Sequence, residues 1–405
     1  MLYVNKLILL WKQLTDWATE SYVRRSVVTH LLHILHPYHN QLPMDSRTLL
    51  KTPRRTTTRS LLNGEYCHFG LSNGLKLKLL SAPTVFLSKT IYVSFKIDGL
   101  PIFHKGHKLQ LWPILALVKN FETEPFVVGY FLGEGKPDPL SEYLKYFLKE
   151  LSHLLSNGII IIDKLIEIKI HSFVCDALAR AYLKSVKQHS GYASCDRCED
   201  YGVYEGRIIF QNMSAKKRDN RSFRSQLDKE HYHGESPLLI LPIDMISNFP
   251  IDYMHEVCLG VMKKLLKIWT GKPISQVKLR YTILKSISEK IVQLSRFIPF
   301  EFNRKGSPLT YLADWKATEL RLFLLYTGPI ILCSDNVDVA IYEHFMLFSC
   351  SLMILLSKRH IKCLGIGLAR QLLNLFVKHN VHLLIHLADD AELYGPLDSV
   401  SLFFF

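Results

Sequence analysis

The feature that most constrains this chain is a change of hydrophobic period partway along it. Between residues 85 and 176, apolar residues alternate with polar ones or run in short β-branched blocks. Ile91, Val93, Phe95 and Ile97 alternate up to Asp98-Gly99, residues 109–119 and 126–132 repeat the pattern, and 159–162 and 166–175 are β-branched runs. A period of two belongs to strands with one face on a core. Leu140, Leu144, Phe147, Leu148 and Leu151 fall at helical spacing among them, and residues 177–188 take up a helical pattern directly after Asp176. From residue 252 the period is helical: 254–269, 277–294, 315–332, 339–356 and 364–386 are strongly apolar helical segments. The chain therefore reads as an α/β half followed by an all-helical half.

The flanks are less periodic. Residues 1–44 carry Leu7, Leu10, Leu14 and Trp17 at helical spacing and read as an N-terminal helical extension. Residues 45–84 read as a basic strap and linker, with Arg47, Lys51, Arg54, Arg55 and Arg59 against Asp45, and with Pro53 among the threonines. The strand-rich core is expected over 85–188, a loop region over 189–250, a helical insertion over 251–380, and a return towards the core over 381–405. A length of 405 residues fits two to three such domains.

Charge bounds the partners. Fifty Lys and Arg against 36 Asp and Glu leave +14, which suits a polyanion, nucleic acid first and membrane surface second. The apolar patch from Leu7 to Trp11 is closed by Lys6 and Lys12, and 346–356 falls short of the ~20 residues a span needs. Eight cysteines suggest no disulfide framework, so the reading is a soluble protein of a reducing compartment. Cys67, Cys175, Cys258, Cys333, Cys350 and Cys363 sit singly among apolar neighbours and read as buried small hydrophobes.

Two sets of residues carry chemistry. Asp98 ends the best strand and Asp176 stands at a strand-to-helix junction. Carboxylates at neighbouring strand ends can converge on a hard cation such as Mg²⁺, as phosphodiester transfer requires. Cys195-Asp-Arg-Cys198 is the chain's CxxC and offers two soft ligands at zinc spacing. Two histidine pairs could complete it: His382 and His386, at i and i+4 on an expected helix, or His231 and His233. Arg54, Arg55 and Arg59, with Lys216, Lys217, Arg218, Arg221 and Arg224, are candidate phosphate contacts. No phosphate-binding P-loop, GxSxG elbow or HExxH occurs.

From Leu42 to Phe405 the chain resembles a transposase of the CACTA-type cut-and-paste transposons, within the wider DDE family. The resemblance is carried by Pro43-Met-Asp-Ser-Arg-Thr-Leu-Leu-Lys-Thr-Pro-Arg54, Asp98-Gly-Leu-Pro-Ile-Phe103, Gln110-Leu-Trp-Pro-Ile114, Asp176-Ala-Leu-Ala-Arg-Ala181, His189-Ser-Gly-Tyr192, the CxxC, His231-Tyr-His-Gly-Glu-Ser-Pro-Leu238, residues 249–262 and Tyr394-Gly-Pro-Leu-Asp398, in that order. It implies an α/β fold, an RNase H-like mixed sheet interrupted by a large all-helical insertion. It implies that Asp98 and Asp176 are the first two catalytic acids, holding Mg²⁺ or Mn²⁺. A more distant relative, the catalytic subunit of the V(D)J recombinase, places a later His pair beside its CxxC. That favours His382 and His386 as partners of Cys195 and Cys198 in a structural Zn²⁺ site. DNA, as transposon end and target, is the implied partner, the nucleus the implied compartment, and a homo-oligomer is compatible; no membrane is implied. His255 would touch DNA or cap a helix, and His189 would help place the helix after Asp176. The family's third acid is a Glu shortly after Gly-Pro-Leu-Asp, and the chain reaches Phe405 without it. The family's N-terminal zinc finger also has no counterpart in residues 1–40. The expectation is a truncated, catalytically incomplete transposase core, or a non-enzymatic DNA-binding or protein-interaction remnant of one.

Overall fold

The computed structural model describes residues 2–404 except 53–55, 83–88, 104–107, 122, 189–190, 207, 272–276, 335–336 and 378–380. The chain forms two compact units, Met1–Thr58 and Arg59–Phe405. The first contains helices α1 (Leu2–Glu20) and α2 (Arg25–Leu35). Ala18, Val28, Leu32, Leu42 and Leu49 make its small core.

The second unit is built on a mixed sheet. Its strands are β1 (Thr58–Leu61), β2 (Gly64–His68), β3 (Thr90–Ile97), β4 (Leu100–Pro101), β5 (Leu109–Val118), β6 (Phe126–Glu134), β7 (Ile159–Ile161) and β8 (Lys164–Val174). They lie in the order β1-β2-β6-β5-β3-β8-β7, with β4 paired to β5. β2, β6, β5 and β3 pair antiparallel in turn, and β7 is antiparallel to β8. β3 and β8 are parallel, with Phe95 opposite Phe173 and Lys96 opposite Val174. The alternation of β3 has its physical cause here: Ile91, Val93, Phe95 and Ile97 are all fully buried. On the other face Ser94 is buried too and bonds Ser172 across the pair at 2.9 Å, as a buried hydroxyl must.

Three helices complete this half: α3 (Leu71–Leu80), α4 (Leu140–Asn157) and α5 (Ala177–Lys184). Leu71, Leu75 and Leu79 of α3 share one core with Tyr143, Phe147 and Leu151 of α4. The Phe95 ring lies 5.0 Å from Phe147 and 5.3 Å from Phe173.

The structure departs from the expected boundaries at several places. Residues 45–84 are not a strap and linker throughout, because they contain β1, β2 and α3. β1 and β2 are four and five residues long, so their pairing with the sheet, not their own pattern, defines them. The helix expected over 177–188 stops at Lys184, where Ser185 turns left-handed at φ 54°. The 364–386 segment breaks into Ile366–Phe376 and a 3₁₀ turn at His382–His386, followed by helix Leu387–Tyr394.

The helical half has its own core, drawn from Ile251 to Leu397. Two of its stretches, Met254–Met262 and Phe323–Thr327, are π-helical. Among the described residues no single helix is long and apolar enough to cross a membrane. Cys67, Cys175 and Cys258 are buried as expected, but Cys350 is only half-buried and Cys333 and Cys363 are exposed.

Two candidate metal centres

The first centre joins the loop after α5 to a segment near the C-terminal end of the second unit. Cys195 and Cys198 meet His382 and His386, all four buried, with their ligand atoms within 4.8 Å of one another. Cys198 Sγ lies 3.0 Å from His382 Nε2, Cys195 Sγ 3.8 Å from His386 Nε2, and the two sulfurs are 3.5 Å apart. A tetrahedral ion with bonds of 2.0–2.3 Å needs ligand separations of about 3.3–3.8 Å. The donor set fits a metal ion such as zinc, with two of the three separations in that range and the Cys198–His382 pair a few tenths of an ångström short of it. Each histidine turns its other nitrogen towards a carboxylate: His382 Nδ1 is 3.9 Å from Asp200, and His386 Nδ1 is 3.7 Å from Asp389. Both separations exceed hydrogen-bond length, and His382 Nδ1 is buried without a hydrogen-bond partner. Cys198 is held below the usual thiol range, chiefly by its hydrogen bond with Cys195. For His386 burial pulls the pKa down, but Asp389 and Cys195 outweigh it and raise it.

The two central residues of the CxxC anchor this centre. Asp196 bonds Arg180 at 2.9 Å and Lys184 at 3.2 Å, both on α5. Arg197 reaches the Phe249 carbonyl at 2.6 Å and Asp390 at 3.1 Å. Arg218 donates to the carbonyls of Cys195 and Cys198 and pairs with Asp228 at 2.7 Å. All these charges except Asp228 are buried, so each must be paired in place. Burial alone would raise the Asp196 carboxyl, but Arg180, Lys184 and Arg197 hold it well below the ordinary range.

The second centre lies where β3 and β8 end. Asp98 directly follows β3 and Asp176 N-caps α5, accepting from Ala179 N at 2.6 Å. Their carboxylates and a ring nitrogen of His255 lie within 4.8 Å of one another. Parallel pairing of β3 with β8 is what brings the two aspartates to one edge. Gly99 allows the turn after Asp98: a Cβ there would sit 2.6 Å from the Trp112 ring. Burial, then the charge of Asp176, push the Asp98 carboxyl up to about 6, against the smaller pull of His255 and Lys96. His255 Nδ1 bonds Asp252 at 2.7 Å. Burial lowers the His255 pKa, but Asp252, Asp98 and Asp176 together raise it. A cavity of about 380 Å³ is lined by residues of both centres, among them Asp176, His255, Cys195 and His382.

The remaining sequence candidates fall elsewhere. His231 is buried with Nδ1 on the Ala193 carbonyl at 2.7 Å, and neither it nor His233 belongs to the metal cluster. The competing pair is thereby set aside. His382 and His386 sit on a 3₁₀ turn, not on the expected α-helix. Arg218 is a corrected expectation: its buried guanidinium holds the CxxC backbone and cannot reach a phosphate. Arg59 pairs with Glu142 at 2.6 Å and lies over the rings of Tyr66 and Tyr146. Arg224 is spent on the carbonyls of Leu239, Leu241 and Ile243. Lys216 and Lys217 pair with Glu199 and Asp389 but remain largely exposed. Arg54, Arg55 and His189 lie outside the described residues. Sequence reasoning missed Asp196, Arg197, Arg180 and Asp390 as supports. The signal for the first two was their place inside the CxxC; for the others there was none.

No protein-family model matches this chain, and no curated protein matches it.

Proposed function

We propose that this chain is a DNA-processing core of the DDE transposase type, similar to the CACTA group. In this reading the sheet is RNase H-like. Zn²⁺ is held by Cys195, Cys198, His382 and His386, and a hard divalent cation, Mg²⁺ or Mn²⁺, by Asp98 and Asp176. The observation that carries the reading is the meeting of Asp98 and Asp176 at the C-terminal ends of the parallel pair β3 and β8. The antiparallel run β6-β5-β3 with β8 parallel beside β3 is also the strand arrangement an RNase H-like sheet requires. Two carboxylates crowded together, one with its pKa raised to about 6, suit a cation that neutralises both. When bound, such an ion supplies Lewis-acid stabilisation of the charge that develops on a cleaved phosphodiester.

The protein's own residues do the rest. Asp176 spends one oxygen capping α5, which locks its direction. Asp98 is aimed by the Asp98-Gly99 turn, where Gly99 N donates back to it at 2.8 Å. The excess of 14 positive charges draws a polyanion to the surface through salt-sensitive phosphate contacts. Nuclear location and self-association belong to the same reading.

One observation favours a second reading, a DNA-binding remnant without strand transfer. Among the described residues the acid cluster contains two carboxylates and an imidazole, not three carboxylates. A nicking assay on supercoiled plasmid with Mg²⁺ or Mn²⁺, run beside a gel-shift assay across a salt series, separates the readings. Nicking that is abolished in Asp98→Ala supports the transposase core. DNA binding that weakens with salt, without nicking, supports the remnant. Failure to bind DNA at low salt refutes both.

A further inference from the structure

We infer that His255 is the third ligand of the acid centre and sets its ion preference, so that the site takes Mn²⁺ ahead of Mg²⁺. The inference rests on the reading of Asp98 and Asp176 as a cation-binding pair. A ring nitrogen of His255 lies within 4.8 Å of both aspartate oxygens. Nδ1 is already committed to Asp252 Oδ2 at 2.7 Å. Donation from Nδ1–H to a carboxylate selects the tautomer whose lone pair is on Nε2, the state in which imidazole ligates a metal.

Asp252 is the positioning residue, and its environment leaves it no other arrangement. It is fully buried, and both oxygens are engaged. Oδ2 accepts from His255 N at 2.9 Å as well as from Nδ1. Oδ1 accepts from Leu402 N at 2.7 Å and Ser401 Oγ at 3.3 Å. A carboxylate withdrawn from water persists only when such donors compensate it. These four donors stop it rotating, so the His255 ring is held as well. The backbone shows the same specialisation, because His255 stands in the π-helical stretch Met254–Met262. π-Helical turns occur mostly as local departures from α-helix and concentrate at functional sites.

Ligand chemistry then decides the ion. Mg²⁺ favours a rigid octahedron of oxygens and keeps its waters, whereas a first-row transition ion, Mn²⁺ included, takes an imidazole nitrogen more readily. Two carboxylates and one neutral imidazole give a mixed oxygen and nitrogen set that suits Mn²⁺.

The experiment uses the full chain with its Cys/His centre zinc-loaded. Mn²⁺ alone and Mg²⁺ alone are titrated calorimetrically, and bound Mn²⁺ is probed by pulsed electron paramagnetic resonance for a directly bonded nitrogen. Expected are tighter binding of Mn²⁺ than of Mg²⁺ and a nitrogen coupling that disappears in Asp98→Ala. His255→Ala should remove the coupling and weaken Mn²⁺ by about tenfold or more, with Mg²⁺ almost unchanged. Asp252→Asn should shift Mn²⁺ affinity in the same direction; if that variant does not fold, His255→Ala decides alone. Mn²⁺ binding that depends on Asp98 but shows no nitrogen coupling, or is unchanged in His255→Ala, overturns the inference and leaves the aspartate pair standing. Absence of any Mn²⁺ or Mg²⁺ binding that Asp98→Ala removes overturns the underlying reading instead.

Discussion

Asp98 shows what a site residue costs the fold. It is buried against Asp176, and its carboxyl is pushed up to about 6 by burial and by that neighbour's charge. A group held this way opposes folding at neutral pH, which fits the proposed cation site. In buffer free of added divalent ions, Asp98→Asn should therefore be more stable than the parent by about 1–2 kcal/mol at pH 7. The same variant should lose the stabilisation that added Mn²⁺ gives the parent. Urea denaturation with and without Mn²⁺ checks both; an Asp98→Asn protein less stable in both buffers would contradict the crowding argument. In the sequence His255 reads as a DNA contact or a helix cap, not as a partner of the two aspartates. The pairing of His255 with Asp252 is a local i, i+3 contact; the burial of Asp252 and its donors from the distant Ser401 and Leu402 are what a residue pattern does not encode.

At the level of elements, what could be read follows length and self-sufficiency. β3, β5, β6 and β8 have eight to eleven residues, long enough for alternation or β-branching to declare them. β1 and β2 take their identity from partners. α3 lies within the stretch read as strap and linker. Gly74 is present because the Phe126 ring packs directly against its Cα, where a Cβ would collide. The start of α3 is capped from another element: Glu150 of α4 accepts from Leu71 N at 2.6 Å and Ser72 N at 2.9 Å, and meets His68 Nε2 at 3.2 Å. Burial pushes the Glu150 carboxyl up, but these hydrogen bonds outweigh it and lower it from 4.5 to about 2. A depressed carboxyl stabilises the fold above its unfolded pKa, and that stability is lost as pH falls from 4.5 through about 2. Glu150→Gln should lose about 1–2 kcal/mol at pH 7. Its stability should also fall less steeply than the parent's between pH 5 and pH 2, measured by urea titration at each pH. An equal slope in both proteins would show that the cap is not the group titrating.

Across the whole molecule, the Cys/His centre ties together segments far apart in the chain: Cys198 and His382 are 184 residues apart. The buried pairs Asp196–Arg180 and Arg197–Asp390 fasten the same loop to α5 and to helix Leu387–Tyr394. α5 carries Asp176 at its N-cap, so the loop that holds one centre also steadies an acid of the other. Metal analysis should find about one Zn per chain, and Cys195→Ser should lose it and lower Tm by about 10 °C. A zinc-free preparation with an unchanged Tm would remove the centre from the account of stability.

The sequence by itself determined the change from strand period to helix period and the strand ends at which Asp98 and Asp176 stand. It also supplied one half-site, Cys195 and Cys198. Each of these is a relation among residues a few positions apart, which is the range over which backbone periodicity and ligand spacing act. Tertiary structure alone decided the longer relations. The parallel register of β3 and β8 brought the two aspartates together. Packing of the His382–His386 turn against the CxxC loop chose that pair over His231 and His233. Burial turned Arg218 inward, although a basic residue in a polar stretch reads as surface. Such outcomes depend on which distant groups share a desolvated space, and in that space every buried charge and ligand atom must find a partner.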